Sequence, residues 1–216
     1  MTGPIDAVLA IHNAFRQDMA DIDAAALAAA RDGAGDATTL AATVARYRFF
    51  NEVLVWHADG EEKAVFPVMD EVAPLVSEAY EKDHRGLDAA FVALDKAVTA
   101  GDVLATARAS AAFKFHLDIH LHKEDTHLYR IVRERVSAPD QGKAVGVMAG
   151  MVPQDRVPEL VAWMFPLIGD ADRENMLRIQ QMVLPAEAFA GMTQLVHKAI
   201  GDDWAELTRR MPDLVA

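Results

Sequence analysis

The chain has 216 residues, no cysteine, and 21 basic against 33 acidic side chains, a formal charge of −12 with histidine neutral. That excess of acid argues against nucleic acid or an anionic membrane as a partner, since both ask for Lys and Arg to meet phosphate. The missing thiols exclude disulfides, iron–sulfur clusters, thiolate zinc sites and cysteine nucleophiles, so any metal must be held by nitrogen and oxygen.

Hydrophobic residues make up 52% of the chain, enough for a sizeable core. The opening Met1-Thr2-Gly3-Pro4-Ile5-Asp6 lacks the basic start and apolar run of a signal peptide. No stretch approaches the eighteen or so uncharged apolar residues of a membrane span. A cytoplasmic location is expected.

Alanine is abundant and β-branched runs are scarce, which predicts an all-α fold. Between Asp6 and Ala30 the apolar residues Val8, Ile11, Phe15, Met19, Ile22 and Leu27 recur at helical spacing, before a turn through Gly33 and Gly35. A second helix is expected from the capping candidates Asp36 to Thr39 to about Val65, where Phe66-Pro67 should stop it. A third opens with Pro74 in its first turn and ends at Gly101, and a fourth, capped by Asp102, runs to about Val136.

Four long helices on short turns predict an up-down-up-down bundle over residues 1–137. Ser137-Ala138-Pro139-Asp140 reads as a linker to a helical C-terminal extension, residues 138–216. There, prolines 153, 158, 166, 185 and 212 mark off four or five shorter helices, with Asp170 and Asp202 as caps. Seven of the ten methionines lie in this extension. They read as core filler, or as an adaptable surface for a protein partner or self-association. Trp163, Trp204 and His197 read as core residues.

Seven of the eight histidines fall in the first 127 residues. His57…Glu61-Glu62 and His120…Glu124-Asp125 share one pattern, a histidine, three residues, a glutamate and a second acid. Residues four apart share a helix face, so each HxxxE can offer an imidazole and a carboxylate to one centre.

At 1.5 Å per residue, His12 and His57 lie about 32 and 33 Å from the first turn, and His84 and His120 about 26 and 28 Å from the third. His57 and His84 are each about 15 Å from the second connection. Four imidazoles and the carboxylates of Glu61 and Glu124 therefore share one layer inside an apolar bundle. Unpaired, two buried carboxylates cost several kcal/mol each; two bridged divalent cations remove that cost. The nitrogen and oxygen set suits a dinuclear iron site, with manganese or zinc as alternative occupants.

A lone histidine, HxxxE, a lone histidine and HxxxE on four successive helices resemble the hemerythrin-like (HHE) domain, over about residues 4–136. Glu61-Glu62-Lys63-Ala64-Val65-Phe66-Pro67 and Asp83-His84-Arg85-Gly86-Leu87 are similar to that family's second and third helices. The resemblance implies that His12, His57, His84 and His120 are terminal iron ligands. It also implies that Glu61 and Glu124 bridge two irons, with an oxo or hydroxo group completing the bridge.

The family's oxygen carriers place a further histidine four residues before the third-helix ligand, where this chain has Tyr80. Up to two coordination positions are thus left for water, O2, nitric oxide or peroxide, or for Tyr80, His116 or His127. His122 points off the ligand face. Asp59, Glu62, Asp88 and Asp125 read as solvated acids, Asp88 with the alternative of orienting His84 from i+4.

Three functions follow from this reading. The first is a non-haem diiron protein that binds O2 or a related small ligand for sensing, storage or detoxification. The second is a diiron enzyme turning over peroxide or nitric oxide. The third is an iron-responsive structural module with residues 138–216 as its interaction surface.

Overall fold

The computed structural model describes residues 3–31 and 37–215. The expected first turn at Gly33 and Gly35 lies outside them, as do Asp36 and the side chains of the other capping candidates up to Thr39. The described residues are mostly helical, without strands, in the all-α arrangement expected.

Helix α1 (Ala7–Arg31) follows a 3-10 turn at Pro4–Asp6 and buries Val8, Phe15, Met19 and Ile22. Leu27, expected on that face, is 42% exposed; Ala26 and Ala29 take the buried positions there. Helix α2 (Ala37–Gly60) runs without interruption into a π turn at Glu61–Val65 and then into α3 (Phe66–Val72).

Phe66-Pro67 therefore does not stop the second helix. The Phe66 amide donates to the Glu61 carbonyl, five residues back, and this wider turn places Pro67 in the first turn of α3. A proline there forfeits no intrahelical hydrogen bond. The chain turns instead at Ala73 to Val76, with Leu75 at φ +69, so Pro74 precedes the third helix rather than opening it.

Helix α4 (Ser77–Thr99) ends before Gly101, whose φ of +67 needs a residue without a Cβ. The Asp102 side chain accepts from the Ala105 amide at 2.9 Å and starts α5 (Val103–Lys123). A second π turn at Glu124–Leu128 leads into α6 (Tyr129–Arg135). Both π turns begin at the glutamate of an HxxxE pair, so the repeat seen in sequence is also a repeat of backbone shape.

In the bundle, α1 packs against α2 and α5, and α4 against α5. Two apolar layers fill it. One contains Phe15, Met19, Phe50, Phe113, Leu117 and Leu121; the other contains Val8, Val65, Phe66, Met69, Leu128 and Tyr129. The spacing of polar residues along the helices leaves the imidazoles and carboxylates between these layers.

Ser137-Ala138-Pro139-Asp140 is not a linker. The Ser137 side chain accepts from the Asp140 amide at 3.3 Å, and Pro139 lies in the first turn of α7 (Ala138–Ala149). Helix α7 packs on the first π turn and on α2. A Cβ built on Gly60 would stand 3.0 Å from the Met148 Cα, so the two backbones are in close approach.

The rest is α8 (Val157–Leu167), α9 (Asp170–Val183), α10 (Ala186–Ile200) and α11 (Trp204–Arg210). Neither predicted cap acts as one. Gly169 precedes α9, so Asp170 sits inside its first turn and accepts from Arg173, while Asp202 lies within a 3-10 turn at Gly201–Asp203.

These helices enclose Val161, Phe165, Leu177, Val196 and Leu207 and close on Ala10 and Ala14, small residues that let α8 and α9 approach α1. Trp163 is anchored by its indole N–H, which donates to Asp18 at 2.6 Å; His197 stacks on Trp204. Among the described residues no helix is long and apolar enough to cross a membrane.

Candidate metal centre

The helices bring six side chains together: His12 from α1, His57 from α2, Glu61 from the first π turn, His84 from α4, His120 from α5 and Glu124 from the second π turn. All six are buried, the two glutamates completely. They form two groups of donor atoms, each within 4.8 Å: His12 and His57 with both glutamates, and His84 and His120 with the same two glutamates.

Each carboxylate presents one oxygen to each histidine pair. Glu61 Oε1 is 3.3 Å from His57 Nε2 and its Oε2 is 3.3 Å from His84 Nε2. Glu124 Oε2 is 3.5 Å from His12 Nε2 and its Oε1 is 3.3 Å from His120 Nε2. All four rings thus turn Nε2 toward the carboxylates.

The residues fit a pair of cations. Glu61 Oε2, both oxygens of Glu124 and His84 Nε2 are shielded from solvent and have no hydrogen-bond partner. So many orphaned polar atoms in one place would be costly unless something else satisfied them. His12 Nε2 and His57 Nε2, 2.9 Å apart, can be reconciled in the protein alone only if one carries a proton toward the other.

The electrostatics agree. Burial raises the carboxyl of Glu124 well above its usual range, and the neighbouring Glu61 adds to the effect. Burial would raise Glu61 too, but His57 and His84 outweigh it and hold Glu61 well below the usual value. Burial opposes charge on His84, yet the carboxylates of Glu124, Glu61 and Glu62 push its pKa up to about 11. His120 is lowered to about 4, chiefly by burial, and burial lowers His12 as well.

Three residues that orient the site were given no such role by the sequence. His12 Nδ1 bonds to Asp125 at 2.7 Å, and Arg16 pairs with the same carboxylate. His84 Nδ1 bonds to Glu62 at 2.8 Å. Asp125 and Glu62 are therefore not simply solvated acids. Each is the second acid of its repeat, and each fixes the ring contributed by a neighbouring helix, which leaves Nε2 free to face inward.

The third is Tyr129, fully buried, whose hydroxyl donates to Glu61 Oε1. Its counterpart in the first repeat is Phe66, which stacks on His84 with ring centroids 5.5 Å apart. Val65-Phe66 follow His57 by the same eight and nine residues as Leu128-Tyr129 follow His120, and that shared register is the available signal. Nothing in the sequence says that one phenol oxygen reaches across the bundle.

The other candidates lie outside the six-residue cluster. The Tyr80 hydroxyl donates to the Lys123 carbonyl at 3.1 Å and lies 2.9 Å from His127 Nδ1. His127, His116 and His122 are exposed, as are Asp59 and Asp88. A polar cleft of about 200 Å³ lined by His57, His84, His120, Glu62, Arg85 and Asp88 reaches the cluster from outside.

Such a helical bundle, with buried imidazoles and shared carboxylates at its centre, defines a cation-binding protein. The chain belongs to the hemerythrin HHE cation binding domain family, whose model matches residues 3–132. The Zinc finger protein BRUTUS of Arabidopsis thaliana is 22% identical over 148 residues, a match that covers 66% of this chain and 12% of that protein. The chain thus spans only a small part of that relative's length. No solved structure matches the chain.

Proposed function

We propose that this chain is a non-haem diiron protein, each iron held by one histidine pair and both bridged by Glu61 and Glu124, that binds O2 or a related small ligand. The observation that carries the reading is the sharing of oxygens, one from each glutamate to each histidine pair. Two imidazoles and two carboxylate oxygens give each cation four protein donors, short of the six iron commonly takes. Bound there, two irons would supply open coordination positions and electrons for a small ligand, in sensing, storage or detoxification.

The chain's own residues do the rest. Asp125 and Glu62 hold His12 and His84 in place through Nδ1. Tyr129 fixes the rotation of Glu61. Phe66, Leu121 and Leu128, all buried, exclude water from the interior side. The name of the plant relative refers to zinc fingers, and this cysteine-free chain offers none of the thiolates of such sites.

A second reading, turnover of peroxide or nitric oxide at the same centre, is favoured by the polar cleft that has three of the four histidines in its wall. One experiment separates the two. Iron is measured in the purified chain, with two per chain expected, and the anaerobic ferrous protein is titrated with O2, nitric oxide and peroxide while its absorption is followed. A spectral change reversed by removing O2 supports binding. Catalytic loss of peroxide or nitric oxide, absent in Glu61→Ala and His120→Ala, supports turnover. A chain that takes up no iron overturns both.

A further inference from the structure

Two of the four histidines of the centre have their outer nitrogen tied to a carboxylate, His12 to Asp125 and His84 to Glu62. His120 does not. Its ring is buried, and its Nδ1 is shielded from solvent without a hydrogen-bond partner.

The carboxylate that faces this atom is Asp83, on α4, whose Oδ2 stands 3.7 Å from His120 Nδ1. That separation is too long for a hydrogen bond. The same oxygen pairs with the Lys123 ammonium. Asp83 is partly exposed and lines a cleft of about 240 Å³ with Lys82, Gly86 and His116, so its side chain has room to turn the remaining distance.

An ion pair with Lys123 could account for Asp83 by itself, but partly exposed pairs contribute about 1 kcal/mol at most and need no particular place along a helix. Asp83 immediately precedes the ligand His84, and Lys123 immediately precedes the ligand Glu124, so this pair stands level with the centre. Lys123 is also held without Asp83. Its ammonium lies 5.4 Å from the centroid of the Tyr80 ring, and its carbonyl accepts from the Tyr80 hydroxyl. Asp83 can therefore turn to His120 without freeing Lys123 from α4.

An imidazole that holds a cation through Nε2 carries its proton on Nδ1, and a carboxylate that accepts this proton fixes the ring and strengthens the ligand. Buried without an acceptor, the same N–H costs free energy.

We infer that Asp83 is a positioning residue of the centre, which accepts the Nδ1–H of His120 and fixes that ring as Asp125 fixes His12 and Glu62 fixes His84. The inference rests on the diiron reading, because it concerns how one of the ligands of that centre is held. Asp125 and Glu62 are the second acids of the two repeats, whereas Asp83 lies outside both.

The test is titration of the full chain, stripped of metal, with cobalt(II), whose visible absorption reports ligation by nitrogen and oxygen. The wild type is expected to bind two ions. Asp83→Leu is expected to weaken one of them about ten- to a hundredfold, the range seen when the partner of a metal-bound histidine is removed. Asp83→Asn, whose amide oxygen still accepts from Nδ1–H, is expected to recover most of that loss. Lys123→Met removes the ion pair and leaves Asp83 free to bond His120, so it should bind cobalt as tightly as the wild type or tighter. Circular dichroism shows that each variant is folded.

The inference is overturned if folded Asp83→Leu binds both ions as tightly as the wild type, or if Asp83→Asn is as weak as Asp83→Leu. It is also overturned if Lys123→Met loses as much affinity as Asp83→Leu, which would make the aspartate no more than the partner of the lysine. A wild type that takes up no cobalt would instead overturn the dinuclear reading, and this inference with it.

Discussion

The same substitution, Gly→Ala, is expected to have opposite effects at two helical positions, and the contrast tests the packing of α7 on the metal-bearing helix. At Gly86, within α4, a Cβ would meet nothing within 4 Å. Alanine there gains about 0.5–1 kcal/mol from helix propensity and a less flexible unfolded chain. At Gly60 the backbone is equally helical, with φ −67 and ψ −41. There, however, the Cβ would lie 3.0 Å from Met148 Cα and Cγ and 3.1 Å from its Cβ.

Two of those three atoms are fixed to the α7 backbone, so relief requires the helices to separate by several tenths of an ångström. Overpacking of this kind costs about 1–3 kcal/mol, which exceeds the propensity gain and leaves a net loss of about 1–2 kcal/mol. With a urea slope of about 2–3 kcal/mol per M, Gly60→Ala should lower the midpoint by roughly half a molar and Gly86→Ala should raise it. Urea unfolding followed by circular dichroism reads both. A Gly60→Ala variant as stable as Gly86→Ala would refute the close docking of α7.

Loss of the bound cation is expected to destabilise the chain by about 4 kcal/mol for metal at a thousandfold excess over Kd, a fall in melting temperature of roughly 8–16 °C. Calorimetric melting before and after chelation checks this, and an unchanged midpoint would contradict the buried centre. In the absence of a cation, His84 keeps its proton up to about pH 11 and Glu124 is also raised, so uptake near neutrality must expel protons. Affinity should therefore rise with pH, by about tenfold per unit for each proton released; a binding enthalpy identical in buffers of different ionisation enthalpy would exclude it. Tyr129→Phe removes the donor to Glu61 Oε1 and should cost about 1–3 kcal/mol in urea unfolding while keeping metal that Glu61→Ala loses, as metal content of the two purified variants shows.

Much of the centre could be read from spacing because a helix has a fixed rise. The distances of His12, His57, His84 and His120 from the turns follow from counting residues, and counting is insensitive to how the helices tilt. The π turns were not legible, because they add one residue to a turn without changing the composition, and the misplaced stop at Pro67 followed from assuming an unbroken α-helical register. Asp125 and Glu62 look like any surface acids in sequence. Only the lateral packing of α1 on α5, and of α4 beside the first π turn, brings each onto a neighbour's ring. The extension was misread at its start for a related reason, since Ser137 and Pro139 serve a loop and a helix N-terminus equally well.

Tyr129 and Phe66 occupy matching places in the two repeats and differ by a single oxygen atom. That atom gives the two halves of the centre different surroundings: the Glu61 oxygen on the His12 and His57 side accepts from a phenol, and the matching place on the His84 side holds only the hydrocarbon ring of Phe66. A pair of ions seated there could not be interchangeable. One address in the protein would favour the higher positive charge, and Mössbauer spectra of the chain, once loaded with iron, should show two distinct environments whose difference narrows on Tyr129→Phe.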